Sequence, residues 1–176
     1  GSNSRPIEKF EGLNFRWRNF TGTNASPDNL AVSSASTRTI VAAPSGTGAP
    51  ADTTRAMAIA FNFTGSGNRL FFRHELLRDN VYTTVADTHA VLAQVDSTSK
   101  FTAHVHKAAS YSGRTVRMVL MDRDRELEAS PAVSLAGSGW QALTWDLTAA
   151  GAINAYNTNE PADLDGDGVL DTAGSG

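Results

Sequence analysis

Apolar and polar residues alternate with a period of two in four segments of the chain, a pattern that predicts β-strands. In 101–107 the apolar side chains fall on one face, and a threonine and two histidines fall on the other. In 140–147 the alternation points Leu143, Trp145 and Leu147 inward and leaves Trp140 on the opposite face. The other two segments are 56–63 and 116–121. Each of the four is predicted to be a strand with one buried face.

Long polar segments separate these strands and favour an all-β fold. The clearest are 21–28 and 43–54, the second with two prolines and two glycines. A helical stripe competes only in 70–80, where the short length and the surroundings favour a strand or an irregular segment. Roughly seven to nine short strands joined by such turns predict an antiparallel β-sandwich.

Composition and charge narrow the classes of function. The 176 residues suit one domain, since a chain of about 150 residues buries roughly two thirds of its unfolded surface. The absence of cysteine excludes disulfides and thiolate metal sites. The net charge is −3 without a basic block, so we expect no nucleic-acid partner. No stretch approaches the roughly 20 apolar residues of a membrane span. The richness in Thr, Ser, Asn, Gly and Ala is typical of secreted or cell-surface proteins.

The acidic segment 163–171 has the spacing of a calcium-binding loop. Carboxylates stand at its positions 1, 3, 5 and 9 and a glycine stands at position 6, so oxygens can converge on a hard cation while the glycine takes the sharp turn. The predicted metal ligands are Asp163, Asp165, Asp167, the backbone carbonyl of Val169, and Asp171. At position 12, where an EF-hand has a bidentate glutamate, this chain has Gly174.

The same segment resembles the Asp-rich calcium repeats of secreted proteins, such as thrombospondin type 3 and dockerin repeats. Ca²⁺ is therefore the predicted cofactor, and a solvated acidic turn is the alternative. Both interpretations start from one copy of the repeat, without a readable flanking helix.

Three parts of the chain together resemble a jelly-roll carbohydrate-binding module. They are 7–11 followed by Trp17, then 116–124, and then 137–147. Such modules often begin with a Phe-Glu segment and carry a Gly-Trp-x-x-Leu-x-x-x-Leu strand late in the fold. The resemblance implies a jelly-roll sandwich, a carbohydrate ligand and a structural calcium near the Phe-Glu segment, which carries over to Glu11. The closing Asp-rich strand of such jelly rolls has no counterpart in this sequence.

Exposed aromatic residues and arginines are the candidate ligand-binding residues. A sugar ring stacks its apolar face on an aromatic ring, and polar side chains pair with its hydroxyl groups. The candidates for stacking are Trp140, Trp17 and Tyr111, although aromatic residues are more commonly buried in the core. Arg123 and Arg125 can pair bidentately with uronate or sulfate groups.

Two groups of residues are weaker candidates for catalysis or metal binding. Four carboxylates alternate with arginines in 122–128, and His104 and His106 share a strand face. The charge alternation is most simply a solvated hairpin tip, and the two histidines have no third ligand nearby in sequence, so solvent-facing side chains are the simpler interpretation. A serine-hydrolase elbow and the glycine patterns of nucleotide sites are absent from the sequence. We therefore expect no catalytic activity; a small polysaccharide lyase or hydrolase using these histidines or the Glu126/Glu128 pair is the weakest alternative.

These observations predict three parts and one leading function. Residues 1–2 are typical of a tag remnant, 3–160 form the β-sandwich, and 161–176 form the calcium loop and tail. We expect a non-catalytic carbohydrate-binding module stabilised by calcium, as part of a larger secreted or surface protein of bacterial type. The main alternative is a structural or adhesive extracellular protein that self-assembles through an open sheet edge, because the closing strand is missing.

Overall fold

The structure is a computed structural model, and it describes residue 10 and residues 18–19, 37–60, 72–73, 96–108, 115–121, 126–135, 137–156 and 166–171. Within these ranges the secondary structure consists of eleven strands and several turns, without a helix and therefore without a helix that is long and apolar enough to cross a membrane. The strands are β1 (Arg18–Asn19), β2 (Thr37–Ala42), β3 (Arg55–Ala60), β4 (Phe72–Arg73), β5 (Lys100–Lys107), β6 (Thr115–Val116), β7 (Val119–Met121), β8 (Leu127–Ala129), β9 (Val133–Ser134), β10 (Gly139–Asp146) and β11 (Asn154–Ala155).

All of the described strand pairs are antiparallel. Four sheets are two-stranded, namely β1·β4, β2·β3, β5·β10 and β6·β9, and the fifth has the order β11-β8-β7. The prediction of an all-β, antiparallel protein is confirmed at this level.

The chain divides into two compact units, and the first comprises residues 1–43 and 51–94. Its longest pair is β2·β3, in register from Thr37 opposite Ala60 to Ala42 opposite Arg55. This confirms a strand in the predicted segment 56–63 as far as residue 60, and its last three residues lie outside the described ranges. The predicted loop 43–54 connects the two strands, and in the segment 70–80 the structure has the strand β4.

The second unit comprises residues 44–50 and 95–176, and its longest pair is β5·β10. The register runs from Lys100 opposite Asp146 to Lys107 opposite Gly139. Burial alternates along β5 as predicted, and in β10 it alternates from residue 142 onward, whereas residues 139–141 are all half-buried. The odd-numbered residues turn inward, because side chains two apart on a strand share a face. The predicted inward set of Leu143, Trp145 and Leu147 is confirmed as buried.

A hydrophobic cluster of the second unit forms around Trp145, Leu147 and Ala152, all of them buried. The indole Nε1 of Trp145 donates a hydrogen bond of 2.8 Å to the carbonyl oxygen of Ala152, which satisfies the one polar atom of a buried tryptophan. Five partly buried hydrophobic residues pack against the cluster; they are Phe101, Met118, Leu120, Ile153 and Leu170. The last of these belongs to the acidic C-terminal segment, which is therefore anchored in the core.

The outward side of the β5·β10 pair carries cross-strand pairs of polar side chains. We call it the polar face; it consists of Lys100, Thr102, His104 and His106 of β5 and Trp140, Ala142, Thr144 and Asp146 of β10. Lys100 forms an ion pair of 3.5 Å with Asp146, and the hydroxyl oxygens of Thr102 and Thr144 are 3.4 Å apart. Such pairs directly opposite each other stabilise a two-stranded sheet.

Two short turns with an aspartate two residues before a threonine lie at the same end of this pair. Oδ1 of Asp96 accepts hydrogen bonds from the backbone N–H and the hydroxyl of Thr98, and Oδ1 of Asp146 does the same with Thr148. In each case the threonine hydroxyl is the main reason why the pKa of the aspartate is lowered. One turn thus precedes β5 and the other follows β10, and both favour charged carboxylates there.

The segment 116–121, predicted as one strand, is two strands in the structure. β6 pairs with β9, and β7 pairs with β8. Two residues, 117–118, separate β6 from β7, whereas three residues, 130–132, separate β8 from β9. The extra residue makes a bulge next to Pro131, which has no N–H for the ladder. Ser130 spans the gap, because its hydroxyl accepts from Met118 N at 2.9 Å.

Candidate metal centre

Three acidic side chains from two distant parts of the chain meet in the second unit. Glu126, Asp167 and Asp171 each offer a carboxylate oxygen, and these oxygens all lie within 4.8 Å of one another. Glu126 comes directly before β8, and the two aspartates belong to the segment 166–171. Glu126 and Asp171 are half-buried, and Asp167 is exposed. We call these three carboxylates the acidic centre.

Glu128 of β8 holds the C-terminal segment beside the acidic centre. Its side chain is fully buried. Oε1 accepts a hydrogen bond of 2.8 Å from the backbone N–H of Asp167, and Oε2 accepts one of 3.0 Å from that of Gly168. Glu126, directly before β8, also brings its carboxylate close to Asp167 of the same segment. Glu128 thus positions the segment 166–171, and Glu126 belongs to the acidic centre.

Further contacts fix the segment 166–171 against β8. Gly166 N donates to the carbonyl oxygen of Tyr156 at 3.2 Å, and Tyr156 N donates to that of Leu127 at 3.0 Å. A Cβ atom added to Gly166 would overlap the carbonyl oxygen of Leu127. Only a glycine therefore allows the loop to approach β8 this closely.

The turn that follows is closed within the loop itself. Oδ1 of Asp167 accepts a hydrogen bond of 2.9 Å from Val169 N, and Gly168 has a positive φ of 85°, a conformation that glycine adopts without strain. Side chains then alternate, with Val169 56% exposed and Leu170 packed against the core cluster. The glycine predicted to make the sharp turn does so.

Four carboxylates lie close together at the acidic centre and Glu128. Burial raises the pKa of Glu128, the two backbone N–H bonds from Asp167 and Gly168 oppose that rise, and the nearby carboxylate of Asp167 adds to it. Two further carboxylates, those of Glu126 and Asp171, lie next to Asp167. A bound divalent cation would offset this repulsion, since it is the strongest local charge that such a site can take up.

The donor set fits calcium. All three groups are carboxylates, the hard oxygen ligands that Ca²⁺ and Mg²⁺ prefer. With ligands at about 2.3–2.6 Å, the oxygens on opposite sides of a calcium ion are roughly 4.6–5.2 Å apart, and separations of up to 4.8 Å fall within that shell. The three residues are therefore compatible with part of a calcium coordination sphere, with the other positions left for further oxygens.

The structure brings together two of the predicted ligands and adds one that the sequence did not indicate. Asp167 and Asp171 meet at the acidic centre, and the third member is Glu126. The interpretation of 122–128 as a solvated hairpin tip is wrong for Glu128, which is buried, and for Glu126, which is half-buried. The sequence feature that could have indicated their burial is their spacing, because the two glutamates stand on either side of Leu127 and are followed by Ala129. Asp163, Asp165 and Glu11 lie outside the described residues.

Trp140 is the one predicted ligand-binding residue that the structure describes. It lies on the polar face as expected and is half-buried. Its Nε1 donates a hydrogen bond of 2.8 Å to the carbonyl oxygen of Pro44, and its ring makes an edge contact with His106 at 5.2 Å between centroids. Trp17, Tyr111, Arg123 and Arg125 lie outside the described residues.

The sequence matches no family model, no curated protein and no solved structure. The resemblance to carbohydrate-binding modules therefore stays a prediction that depends on three sequence segments.

Proposed function

We propose that the protein is a non-catalytic, extracellular β-sandwich domain of jelly-roll type that is stabilised by calcium and binds carbohydrate. The observation that carries the calcium part is the convergence of Glu126, Asp167 and Asp171 within 4.8 Å. The antiparallel strands of both units support the sandwich. The polar face supports the carbohydrate part.

Glu126 supplies a carboxylate that the sequence of the calcium loop lacks. An EF-hand loop completes its coordination with a bidentate glutamate at position 12, and this chain has Gly174 there. Glu126 brings a carboxylate to Asp167 and Asp171 from outside the loop. We infer that the missing ligand is replaced by this glutamate, so that calcium ties the C-terminal segment to the start of β8.

Calcium is expected to stabilise the protein in a way that depends on Glu126. At about 100 times its Kd, an ion that binds only the folded state adds about 2.7 kcal/mol, which corresponds to a rise in Tm of roughly 5–10 °C for a chain of this size. In Glu126→Gln, which keeps the shape of the side chain and removes its charge, we expect the Tm in chelator to stay close to that of the parent protein and the rise with calcium to disappear. Differential scanning calorimetry with calcium, magnesium and chelator measures both.

Asp52→Asn is the control, because it removes one carboxylate charge from an exposed residue that is not one of the three carboxylates of the acidic centre. It should keep the full calcium response. A parent protein with the same Tm in calcium and in chelator would remove calcium from the proposal, and a Glu126→Gln variant with an undiminished response would remove Glu126 from the site.

The polar face is the surface that we propose for carbohydrate. It is exposed along most of its length, presents hydroxyl and imidazole groups, and has Trp140 at one end. Its only charged residues, Lys100 and Asp146, form an ion pair at the other end. Sugars suit such a surface, since many modest hydrogen bonds and one aromatic contact suffice in a wet site.

A blocking substitution tests the polar face better than removal of Trp140, whose indole also holds the loop at Pro44. Ala142 is exposed in the middle of the face, opposite His104. In Ala142→Lys we expect glycan affinity to fall at least about tenfold, or 1.4 kcal/mol, with Tm nearly unchanged. Affinity electrophoresis against neutral and uronate-containing polysaccharides measures this, and Thr39→Lys, an exposed site on β2, is the control. Equal binding by the parent and by Ala142→Lys would exclude this face.

Self-assembly is the rival function, and the same protein samples decide between the two. Light scattering in calcium and in chelator should show one monomer mass in both if the domain is a binding module. Oligomers that form only with calcium would instead favour an adhesive or structural protein whose sheet edge pairs with another copy.

A further inference from the structure

The exposed side of β5 carries two histidines of the polar face, which lie apart from the acidic centre. His104 and His106 are two residues apart and both are exposed. They therefore project from the same side of the strand, separated by about 6.6–6.8 Å of strand rise. Two imidazoles at this spacing can lean toward each other and hold one ion between them, with metal–nitrogen distances of about 2.0–2.1 Å.

The neighbours of the two histidines favour such a site. The ring of His106 is held edge-on against Trp140, at 5.2 Å between centroids and an interplanar angle of 72°. Trp140 in turn is fixed by its hydrogen bond to Pro44. His104 lies opposite Ala142, whose methyl group leaves room above the strand. The ring of His106 is thus held by an aromatic neighbour, and His104 faces only a small side chain on the opposite strand.

The two lysines of β5 do not oppose a cation at these histidines. Lys107 follows His106 but is buried on the other side of the sheet, where its Nζ donates to the carbonyl oxygens of Leu135 and Gly137. The ammonium group of Lys100 is paired with Asp146 at the far end of the polar face. A divalent ion at the histidines would therefore meet no lysine directed at it from β5.

We propose that His104 and His106 form a surface site for a divalent transition-metal ion that prefers imidazole nitrogen, with Cu²⁺ bound most tightly and Zn²⁺ more weakly. This order follows the general affinity series for divalent metals. The two protein ligands leave positions open for water or for a donor group of another molecule. The site is separate from the acidic centre, whose carboxylates suit hard cations, and it does not depend on the proposed function.

The test is a Cu²⁺ titration of the full chain, followed by tryptophan fluorescence, with calcium in excess so that hard-cation sites are occupied. Copper bound at His106 lies next to the Trp140 ring and should quench it in a saturable manner. His104→Gln and His106→Gln should each lower copper affinity at least about tenfold, because removing even an outer partner of a metal ligand typically has that effect. His89→Gln, which removes a histidine elsewhere in the chain, should titrate like the parent.

Two further measurements locate the ion. In Trp140→Phe, calorimetry should show that copper still binds, while most of the quenching is lost. Electron paramagnetic resonance of the parent with one equivalent of Cu²⁺ should show two imidazole nitrogens. Quenching that is equal in the parent and in both histidine variants, or a spectrum with oxygen ligands only, would overturn the proposal.

Discussion

Glu128→Ala is expected to lower the free energy of unfolding by about 3–4 kcal/mol. Two hydrogen bonds to a charged group contribute roughly 1.5–3 kcal/mol each, and the cost of burying the carboxylate offsets part of this sum. The variant leaves the backbone N–H groups of Asp167 and Gly168 without their acceptor. The segment 166–171 should then detach from β8, and calcium affinity should fall with it. Urea denaturation in chelator and calcium calorimetry measure the two effects.

Glu128→Gln separates the charge of this residue from its shape. Burial raises the pKa of Glu128 above its ordinary value of 4.5, so the stability linked to its protonated form is fully present below that value and is lost as the pH rises through the folded-state pKa. In chelator, the parent should therefore gain stability relative to Glu128→Gln as the pH falls from 7 toward 4.5. A difference between the two proteins that is constant over this range would contradict the assignment. An unchanged unfolding energy in Glu128→Ala would show that the carboxylate does not hold the segment.

Gly166→Ala is expected to cost about 3 kcal/mol, at the upper end of the usual range for overpacking. The added methyl group meets the carbonyl oxygen of Leu127, a backbone atom that cannot rotate aside as a side chain can. The loop has to move away from β8, which also misaligns the two N–H groups that Glu128 accepts from. We expect calcium affinity to fall at least about tenfold, or 1.4 kcal/mol, as measured by calorimetry alongside urea denaturation.

Two other glycines separate steric overlap from backbone strain. Gly168 has a φ of +85° and Gly151 a φ of +69°, and a Cβ atom at either would meet nothing closer than 4.0 Å. Alanine there should cost only the strain of a left-handed conformation, about 1–2 kcal/mol. Gly151→Ala should also leave calcium binding intact. Equal losses of unfolding free energy and of calcium affinity in Gly166→Ala and Gly151→Ala would show that the close approach of the loop to β8 does not require a glycine at residue 166.

The sequence by itself determined the strands whose pattern is local. The faces of β5 and of residues 142–147 follow from local alternation, and the placement of Leu143, Trp145 and Leu147 in the core needs nothing beyond that alternation. The turn at Gly168 was likewise readable, because a loop of closely spaced aspartates makes its sharp turn at the glycine in its sixth position. In these segments the physical cause acts between neighbours along the chain.

Only the tertiary structure decided which acidic residues act together. Glu128 and Asp167 are separated by 39 positions in the sequence, and the alternation of charges in 122–128 looks the same whether the strand faces solvent or another segment. The split of 116–121 into β6 and β7 has the same origin, since the bulge belongs to the partner strands around Pro131. Burial of a charge and the register of a strand depend on what lies opposite, and a period-two pattern carries no information about the partner.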